Sequence, residues 1–353
     1  MADNIFKRVY IWLYIMSRLS KKEIKSGKKI PFAKKLWSWQ KGFFSSSYVL
    51  YNLSKNDHKE YLSDYQENVK AIRLNDKYVS ELDDKIKFSA LIKDYLTVPG
   101  DLAKITNGTI ISLNNGKQLS IGEFIDLIRN EETLILKPID SASGAGVIKI
   151  SLNDDRVFLN SDEITFNEFE NKLNLLKNYL VSSYLNQAAY SHQIFPDSVN
   201  TIRILTMVNP ENGIPFIAAA AHRFGTNKSA PVDNCNAGGI TSSIDLKTGI
   251  LGKGILTYFD GNNLKWLDNH PDTGSKISGV QIPGWEEIKR KVLEAASRIS
   301  YLKYIGWDIV ATDDGFVVLE GNNGPDIKLH QVHIPLLRNP STKEFFKYYG
   351  VVN

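Results

Sequence analysis

The spacing of apolar residues changes twice along the 353-residue chain. In the first region apolar residues recur at helical spacing, as in the pattern of Leu82, Ile86, Phe88 and Ile92. In the second and third regions, short β-rich runs alternate with helical patterns and with loops rich in glycine and asparagine. We therefore expect an α+β protein with an α-helical N-terminal region, a small lobe and a larger lobe, which span residues 1–98, 99–185 and 186–353.

A pattern of strand, turn and strand in the third region carries the strongest chemical signal. A three-residue turn would pair Thr312 with Phe316 and place Asp308 opposite Glu320. Because side chains alternate along a strand, Asn322 would point to the same side as Glu320. Opposed carboxylates repel each other unless a cation lies between them, and oxygen ligands favour magnesium or manganese. The sequence therefore predicts a metal site made by Asp308, Glu320 and Asn322 rather than an acidic hairpin exposed to water.

A strand pattern that ends at Lys137 is followed by a loop of small residues and by a second strand pattern. The backbone N–H groups of such a loop can close over phosphates, and Lys137 would neutralise an α- or β-phosphate. The loop is not a Walker A motif, because it lacks Gly-Lys-Ser/Thr at the start of a helix. Turns of small residues between strands are common, so this pattern alone is weak evidence for a phosphate site. Its support comes from the other motifs. The loop residues expected to contact phosphates are Ser141, Ser143, Gly144 and Gly146.

Two arginines, Arg203 and Arg223, interrupt apolar strand patterns. An unpaired guanidinium is costly in such a place, so an anion must lie near each of them. One interpretation pairs them with Asp or Glu in structural salt bridges, and the other has them bind a γ-phosphate, an acyl phosphate or a substrate carboxylate. The predicted metal hairpin downstream favours the second interpretation. Cys235 has no obvious histidine partner in the sequence, so we expect it to pack rather than to act as a nucleophile.

Positive charge is concentrated at the N-terminus. Residues 1–45 contain eleven Lys and Arg but only two acids, together with many large aromatic residues. Such a segment can lie on an anionic membrane surface, but its apolar residues at helical spacing favour packing on the main body. Because the basic residues are confined to one end and no recognition module is visible, we expect no nucleic acid partner.

Neither a membrane-spanning helix nor a disulfide is expected. The longest apolar run has eight residues, far below the ~20 that a membrane-spanning helix needs. Cys235 is the only cysteine, which excludes an intramolecular disulfide and agrees with a reducing compartment. We therefore expect a cytoplasmic protein, with a peripheral place at the inner face of the cell membrane as the alternative in which residues 1–45 bind lipid.

Taken in order, these motifs resemble the ATP-grasp fold. They are the Lys-Pro pair with its small-residue loop, the Asn-Thr-Ile-Arg strand, the Arg-Phe-Gly and Asn-x-x-x-Gly-Gly segments and the Leu-Glu-Gly-Asn hairpin, and they span residues 134–325. Within that fold they look like the sugar-transfer-associated branch, which is similar to the TupA-type proteins of cell-surface polysaccharide synthesis. The resemblance implies two α+β lobes that clasp ATP, with Mg²⁺ or Mn²⁺ as the metal cofactor.

The resemblance also implies roles for individual residues. For nucleotide binding they are Lys85, Lys137 and Arg223 at the phosphates, the backbone of Ser183 and Leu185 at the adenine, and Asp197 or Asn200 near the ribose. Arg203 would orient a carboxylate substrate, and Asp308, Glu320 and Asn322 would hold one or two magnesium ions. The chain departs from the family at Ser182, where ATP-grasp members often carry an acid.

The reaction that the resemblance implies is ATP-dependent ligation. A carboxylate attacks the γ-phosphorus, and an amine then displaces phosphate from the acyl phosphate, which gives an amide, ADP and phosphate. The expected partners are ATP, a carboxylate-bearing sugar or polysaccharide intermediate such as a uronic acid, and an amino acid or amine. Two alternatives stay open: an ATP-grasp phosphotransferase that acts on a sugar or carrier, and a membrane-docking protein with a vestigial ATP site.

Overall fold

The computed structural model describes most of the chain. The described residues are Glu23, 30–139, 146–154, 156–160, 162–257 and 264–353. Most of the basic segment 1–45 lies outside them, as do the loop residues Ser141, Ser143 and Gly144. Within the described residues, no helix is long and apolar enough to cross a membrane.

Within its described residues, the N-terminal region is helical, as predicted. Its helices are α1 (Phe32–Gln40), α2 (Ser45–Leu50), α3 (Val79–Asp83) and α4 (Lys85–Ile92), with 3-10 turns at His58–Glu60, Ala71–Arg73 and Asp76–Tyr78 and a π-helical turn at Gln66–Lys70. Helix α4 begins at Lys85 because the Asp84 side chain accepts hydrogen bonds from two backbone N–H groups of the first turn, at 3.0 and 3.1 Å. Phe88 of α4 is fully buried, with its ring centroid 5.8 Å from that of Trp307. The cap and this contact fix the position of Lys85.

In the described part of the chain, the first sheet has eight antiparallel strands. They are β1 (Asp101–Thr106), β2 (Thr109–Ser112), β3 (Gln118–Leu119), β4 (Thr133–Pro138), β5 (Ile148–Asn153), β6 (Arg156–Leu159), β7 (Asp162–Ile164) and β8 (Asn178–Ser183), in the spatial order β3-β2-β1-β8-β4-β5-β6-β7. Helices α5 (Ile121–Glu131) and α6 (Phe166–Leu175) each begin at a capping box. Their stacked rings, Phe124 and Phe169, join the core that covers the sheet. Lys137 therefore lies on a central strand.

The second sheet has seven antiparallel strands among the described residues. They are β9 (Ile202–Val208), β10 (Pro215–Phe224), β11 (Ile240–Ile244), β12 (Leu251–Leu256), β13 (Trp266–Leu267), β14 (Tyr304–Thr312) and β15 (Gly315–Asn322), in the spatial order β13-β12-β11-β10-β9-β14-β15. The accompanying helices are α7 (Ala189–Ile194), α8 (Trp285–Arg298), α9 (Lys328–Gln331) and α10 (Pro340–Tyr348), with 3-10 turns at Cys235–Ala237 and Leu336–Arg338. Apolar residues of α8, such as Ile288 and Val292, pack into one core with Ile202 and Ile204 of β9. The predicted α+β class is confirmed.

The hairpin of β14 and β15 differs from the predicted register at its turn. Thr312 pairs with Gly315 rather than with Phe316, so the turn has two residues instead of three. An irregular step beside Asp308 then adds one residue to β15, and Asp308 still lies opposite Glu320. The predicted turn was therefore wrong, whereas the two carboxylates are opposed as predicted.

Candidate active site

One cavity of about 290 Å³ is lined by residues from both sheets and from α4. Of the residues singled out in the sequence, it brings together Lys85, Lys137, Ser183, Leu185, Arg203, Arg223, Asp308, Glu320 and Asn322. These residues come from elements that are widely separated in the sequence, so only the tertiary fold makes them neighbours.

Arg203 and Asp308 form a buried ion pair on adjacent strands. The register of β9 and β14 places the two residues opposite each other. Nε of Arg203 donates to Oδ1 of Asp308, and a terminal guanidinium nitrogen donates to Oδ2 at 2.8 Å. Two parallel hydrogen bonds make such a contact strong and geometrically specific. Burial opposes ionisation of Asp308, but the charges of Arg203 and Arg223 lower the pKa of its carboxyl to about 2.

Arg223 is held by a threonine and by two acids. Its Nε and a terminal nitrogen donate to the Thr201 hydroxyl at 2.9 and 2.5 Å. The same terminal nitrogen lies 3.1 Å from Oδ2 of Asp308 and 3.3 Å from Oδ1 of Asp233. Burial disfavours the charged form, but Asp233 and Asp308 raise the pKa of Arg223 above its ordinary value. Both arginines thus have carboxylate partners, as the salt-bridge interpretation expected. A bound anion would have to share the arginines with these carboxylates.

Nearby cations stabilise the ionised carboxylate of Glu320 less well than that of Asp308. The Nζ of Lys85 lies 3.5 Å from Oε2 of Glu320. Despite this cation, burial and the nearby charge of Asp308 raise the pKa of Glu320. The basic residues around the two opposed carboxylates therefore do not fully compensate their charge.

These carboxylates and Asn322 fit a hard divalent cation. The amide nitrogen of Asn322 donates to the carbonyl oxygen of Gly306 at 3.2 Å, so the amide oxygen is the atom suited to coordinate a metal. Within the described ranges, no group of three or more His, Cys, Asp and Glu could hold a metal ion. A metal site here would therefore need this amide oxygen as a ligand. The metal and the two arginines would share the carboxylate of Asp308. Oxygen ligands favour Mg²⁺ or Mn²⁺ over zinc.

Lys137 has an acidic neighbour that the sequence reasoning missed. Its Nζ lies 3.9 Å from Oδ1 of Asp101, and the Ser182 hydroxyl donates to the same oxygen at 2.6 Å. The register of β1 and β8 places Asp101 opposite Ser182. An acid therefore lies beside Ser182, but on another strand and 81 residues earlier, where no local signal marks it. Burial lowers the pKa of Lys137, and the charge of Asp101 partly offsets this effect.

The two residues predicted to contact the adenine through their backbone lie at the cavity, and one of these backbone groups is already bonded within the protein. Ser183 and Leu185 line the cavity. The backbone N–H of Ser183, however, donates to the carbonyl oxygen of Gly100 at 2.9 Å. This N–H is engaged within the protein, so an adenine contact at Ser183 would need its carbonyl oxygen.

Three predicted residues are described but do not line the cavity: Gly146, Asp197 and Asn200. Asp197 is exposed. The oxygen of the buried Asn200 side chain accepts from the backbone N–H of Gly225 at 3.0 Å, and its nitrogen donates to the carbonyl oxygen of Phe195 at 2.8 Å. These bonds hold the segment before β9, and the ribose contact expected at Asp197 or Asn200 stays a prediction.

Cys235 and His222 have the properties of structural residues. Burial raises the pKa of the Cys235 thiol to about 12, so the thiolate form is disfavoured although the residue lines the cavity. Nδ1 of His222 donates to the carbonyl oxygen of Arg223 at 3.1 Å, and Nε2 accepts from the Tyr190 hydroxyl at 2.9 Å. Burial lowers the pKa of His222 to about 3, which keeps the imidazole neutral.

The two antiparallel sheets and the charged cavity that they line define a protein of the ATP-grasp class. The chain belongs to the sugar-transfer associated ATP-grasp family, whose sequence model matches residues 63–339. The family predicted from the motifs is thereby confirmed. No curated protein sequence is significantly similar to the chain.

Solved structures similar to this chain include several ATP-grasp ligases. The ligase PsnB in complex with a minimal precursor is 15% identical, with a TM-score of 0.39 over 76% of this chain and 62% of PsnB. D-alanine–D-alanine ligase from Bacillus anthracis is 12% identical, with a TM-score of 0.40 over 76% of this chain and 69% of the ligase. The ADP complex of N5-carboxyaminoimidazole ribonucleotide synthetase is 10% identical, with a TM-score of 0.39 over 70% of this chain and 46% of the synthetase. The chain thus covers less than two thirds of PsnB and of the synthetase.

Proposed function

We propose that this protein uses ATP to activate a carboxylate as an acyl phosphate and then joins it to an amine. The observation that carries the proposal is one cavity in which the opposed carboxylates of Asp308 and Glu320 lie beside two arginines and two lysines. ATP-grasp enzymes generally use ATP and Mg²⁺. The lysines and arginines suit phosphates and a carboxylate, and the opposed carboxylates suit the metal.

In this proposal the lysines and the two arginines have different tasks. Lys85 and Lys137 neutralise phosphate oxygens of ATP, and Arg223 contacts the γ-phosphate. Arg203 orients the carboxylate substrate, whose oxygen attacks the γ-phosphorus in line; the amine nitrogen then attacks the acyl carbon, and inorganic phosphate leaves. Held by the opposed carboxylates, Mg²⁺ would supply positive charge that stabilises the phosphates.

For the carboxylate substrate we propose a uronic acid or another carboxylated sugar of a capsular or other cell-surface polysaccharide. For the amine we propose an amino acid or a related compound, so that the product contains a new C–N amide bond. The sugar is supported by the family's association with sugar transfer, and the carboxylate by the presence of Arg203 in the cavity.

A phosphotransferase would instead pass the γ-phosphate to a hydroxyl or to a histidine. All six histidines of the chain belong to its described part, and none of them lines the cavity. This placement disfavours a phosphohistidine intermediate.

The test is an assay of the purified protein with ATP, MgCl₂ and a panel of uronic acids and amino acids. Release of both ADP and free phosphate that requires an acid and an amine is the expected result. Glu320→Gln should abolish it, whereas Glu131→Gln, on the exposed surface of α5, should match the wild type. A phosphorylated sugar without free phosphate would establish the phosphotransferase instead. Failure to bind Mg-ATP would overturn both the ligase and the phosphotransferase hypotheses.

We further propose that this cytoplasmic enzyme binds the inner face of the cell membrane through α1. Phe32, Leu36 and Trp39 lie four and three residues apart and are 74%, 45% and 42% exposed, so α1 has one apolar face directed outwards. The other face is anchored to the protein, since Trp37 packs edge-on against Tyr48 at 6.0 Å. The basic excess of residues 1–45 complements an anionic lipid surface.

Sedimentation with vesicles tests the membrane proposal. We expect the wild type to bind vesicles that contain phosphatidylglycerol and not neutral vesicles. The triple serine variant at Phe32, Leu36 and Trp39 should lose most of this binding. A matched control replaces three other exposed apolar residues, Phe166, Leu175 and Ile214, with serine and should bind like the wild type. Unchanged vesicle binding by the α1 variant would refute the proposal. It would also be refuted if the rest of residues 1–45 were found to cover the apolar face of α1.

A further inference from the structure

Four residues of the cavity lining have no part in the proposed ATP chemistry. They are Val199, in the segment before β9, and Pro231, Val232 and Asn236 of the loop that joins β10 to β11. A backbone bridge pairs Val199 with Val232, so the two segments lie side by side. We call these four residues the neutral wall, because their side chains are aliphatic or, at Asn236, an uncharged carboxamide.

The loop of the neutral wall is anchored beside Arg223. Asp233 directly follows a residue of the wall, and its Oδ2 accepts hydrogen bonds from the backbone N–H and the hydroxyl of Thr201 at 2.8 and 2.5 Å. Oδ1 of Asp233 lies 3.3 Å from a terminal nitrogen of Arg223. Arg223 in turn shares Oδ2 of Asp308 with Arg203. The neutral wall therefore adjoins the two arginines to which the proposed function assigns the γ-phosphate and the substrate carboxylate.

Asn236 offers a carboxamide to a ligand in the cavity. Its backbone N–H donates to Oδ1 of Asn234 at 2.8 Å, which fixes the 3-10 turn Cys235–Ala237. Asn236 is exposed, and its side chain makes no hydrogen bond to another residue within the described ranges. A carboxamide has both donors and an acceptor. It can therefore donate to one hydroxyl of a ligand and accept from another.

We propose that the neutral wall binds the sugar ring of the carboxylate substrate, with the Asn236 carboxamide hydrogen-bonded to ring hydroxyls. The faces of a pyranose ring carry C–H groups that pack on aliphatic side chains, whereas its hydroxyls need neutral donors and acceptors. A protonated amine would gain little from this wall, because the wall has no carboxylate. An adenine held at Ser183 of β8 would leave the wall to the other substrate.

This inference rests on the proposed ligase function and specifies its acid. The substrate is a pyranose that carries a carboxylate and free ring hydroxyls, as the uronic acids do. A ring acid without hydroxyls would keep its contact with Arg203 but lose its hydrogen bonds to Asn236. The site should therefore discriminate between the two acids by the hydroxyls alone.

The experiment compares ring acids with and without hydroxyls. Glucuronate, galacturonate and mannuronate are the hydroxylated acids, and tetrahydropyran-2-carboxylate has the same ring and carboxylate without hydroxyls. Hydroxylamine traps the acyl phosphate, because its nitrogen attacks the acyl carbon, phosphate leaves and a hydroxamate forms. The assay therefore does not depend on the natural amine.

We expect the wild type to prefer at least one uronate. Asn236→Ala should raise the KM for that uronate by about 5- to 20-fold, the loss of one or two neutral hydrogen bonds, and leave the KM for tetrahydropyran-2-carboxylate and for ATP unchanged. Val232→Thr, which replaces a methyl group of the wall with a hydroxyl, should raise the KM for both ring acids by about 2- to 5-fold. Asn171→Ala, on the exposed surface of α6, is the matched control and should change none of these values.

The other outcomes have distinct meanings. If Asn236→Ala, with the Tm and the Mg-ATP affinity of the wild type, keeps its KM for the uronate, the inference is wrong. An equal rise with tetrahydropyran-2-carboxylate also overturns it, since the carboxamide would then not act through ring hydroxyls. An unchanged KM of Val232→Thr for both acids contradicts packing of the ring on the wall. A wild type that uses tetrahydropyran-2-carboxylate as readily as every uronate leaves the ligase standing and removes the sugar site. If no acid gives a hydroxamate, the proposed function itself fails.

Discussion

The charged side chains of the cavity bond to one another. Arg203 bonds to Asp308, Lys85 lies near Glu320, and Lys137 lies near Asp101 on β1, from which its own strand is separated by β8. Such pairs let ionised groups persist where burial disfavours charge, and they orient donors before a phosphate arrives. Because each residue supports another, we expect a single substitution to affect stability and, in the proposed function, substrate binding as well.

Arg203→Met is expected to lower the free energy of unfolding by about 3–5 kcal/mol, because it leaves the buried Asp308 carboxylate undercompensated. The side chains of Arg203 and Asp308 are only 6% and 3% exposed. The double variant Arg203→Met/Asp308→Leu should recover most of this loss. Urea denaturation measures both, with Arg129→Met, which breaks an exposed pair with Asp126, as the control. A loss below about 1 kcal/mol, typical of an exposed pair, would contradict the prediction.

Lys137 should make ATP binding sensitive to alkaline pH. Because burial lowers the pKa of Lys137, it loses its charge at a pH where an exposed lysine is still protonated, so the KM for ATP should rise with pH in that range. Lys137→Arg stays charged and should remove this rise. Asp101→Asn removes a carboxylate that raises the pKa, so the rise should begin at lower pH. A pH profile of the KM for ATP checks all three proteins, and an identical alkaline rise in Lys137→Arg would refute the assignment.

At the scale of elements, local patterns were predictable and irregularities were not. Short β-rich runs predicted strands in the third region, where the structure has β9, β10, β14 and β15. The turn register of the β14–β15 hairpin was predicted wrongly, because a short turn and an irregular pairing step offset each other. Asp308 faces Glu320 in both registers, so the prediction of the carboxylate pair did not depend on the turn. Asp101 could not be found in this way, since its partners lie on β4 and β8.

The contact between α4 and β15 should control the position of Lys85. A Cβ atom at Gly321 would lie 2.5 Å from the ring of Phe88 and 2.9 Å from a methyl group of Leu82. Gly321→Ala should therefore displace α4, lower the free energy of unfolding by about 1–3 kcal/mol and raise the KM for ATP as Lys85 moves. The matched control is Gly122→Ala in α5, where the nearest atom is 4.0 Å from the new Cβ and stability should be kept or slightly increased. An unchanged KM for ATP in Gly321→Ala would show that α4 does not position Lys85.

At the scale of the whole molecule, the site depends on two sheets that are separate in sequence. Strands β4 and β8 supply one side of the cavity, and β9, β10, β14 and β15 supply the other. The four Lys and Arg side chains of its lining are balanced by four Asp and Glu side chains. A lining without excess charge attracts a polyanion such as ATP only weakly, whereas ATP together with a divalent cation adds much less net charge.

We therefore expect ATP and Mg²⁺ to stabilise the protein together and neither to do so strongly alone. With both present at about 100 times the dissociation constant of Mg-ATP, stability should rise by about 2.7 kcal/mol, which thermal denaturation detects as a higher Tm. Glu320→Gln should need a higher Mg²⁺ concentration for the same shift, because it removes the carboxylate whose pKa is raised and whose charge the metal would offset. Glu286→Gln, which removes an exposed carboxylate of α8, should respond like the wild type. An equal Tm shift with ATP in the presence of a chelator would mean that the lysines and arginines alone neutralise the phosphates, and the opposed carboxylates would then need another role.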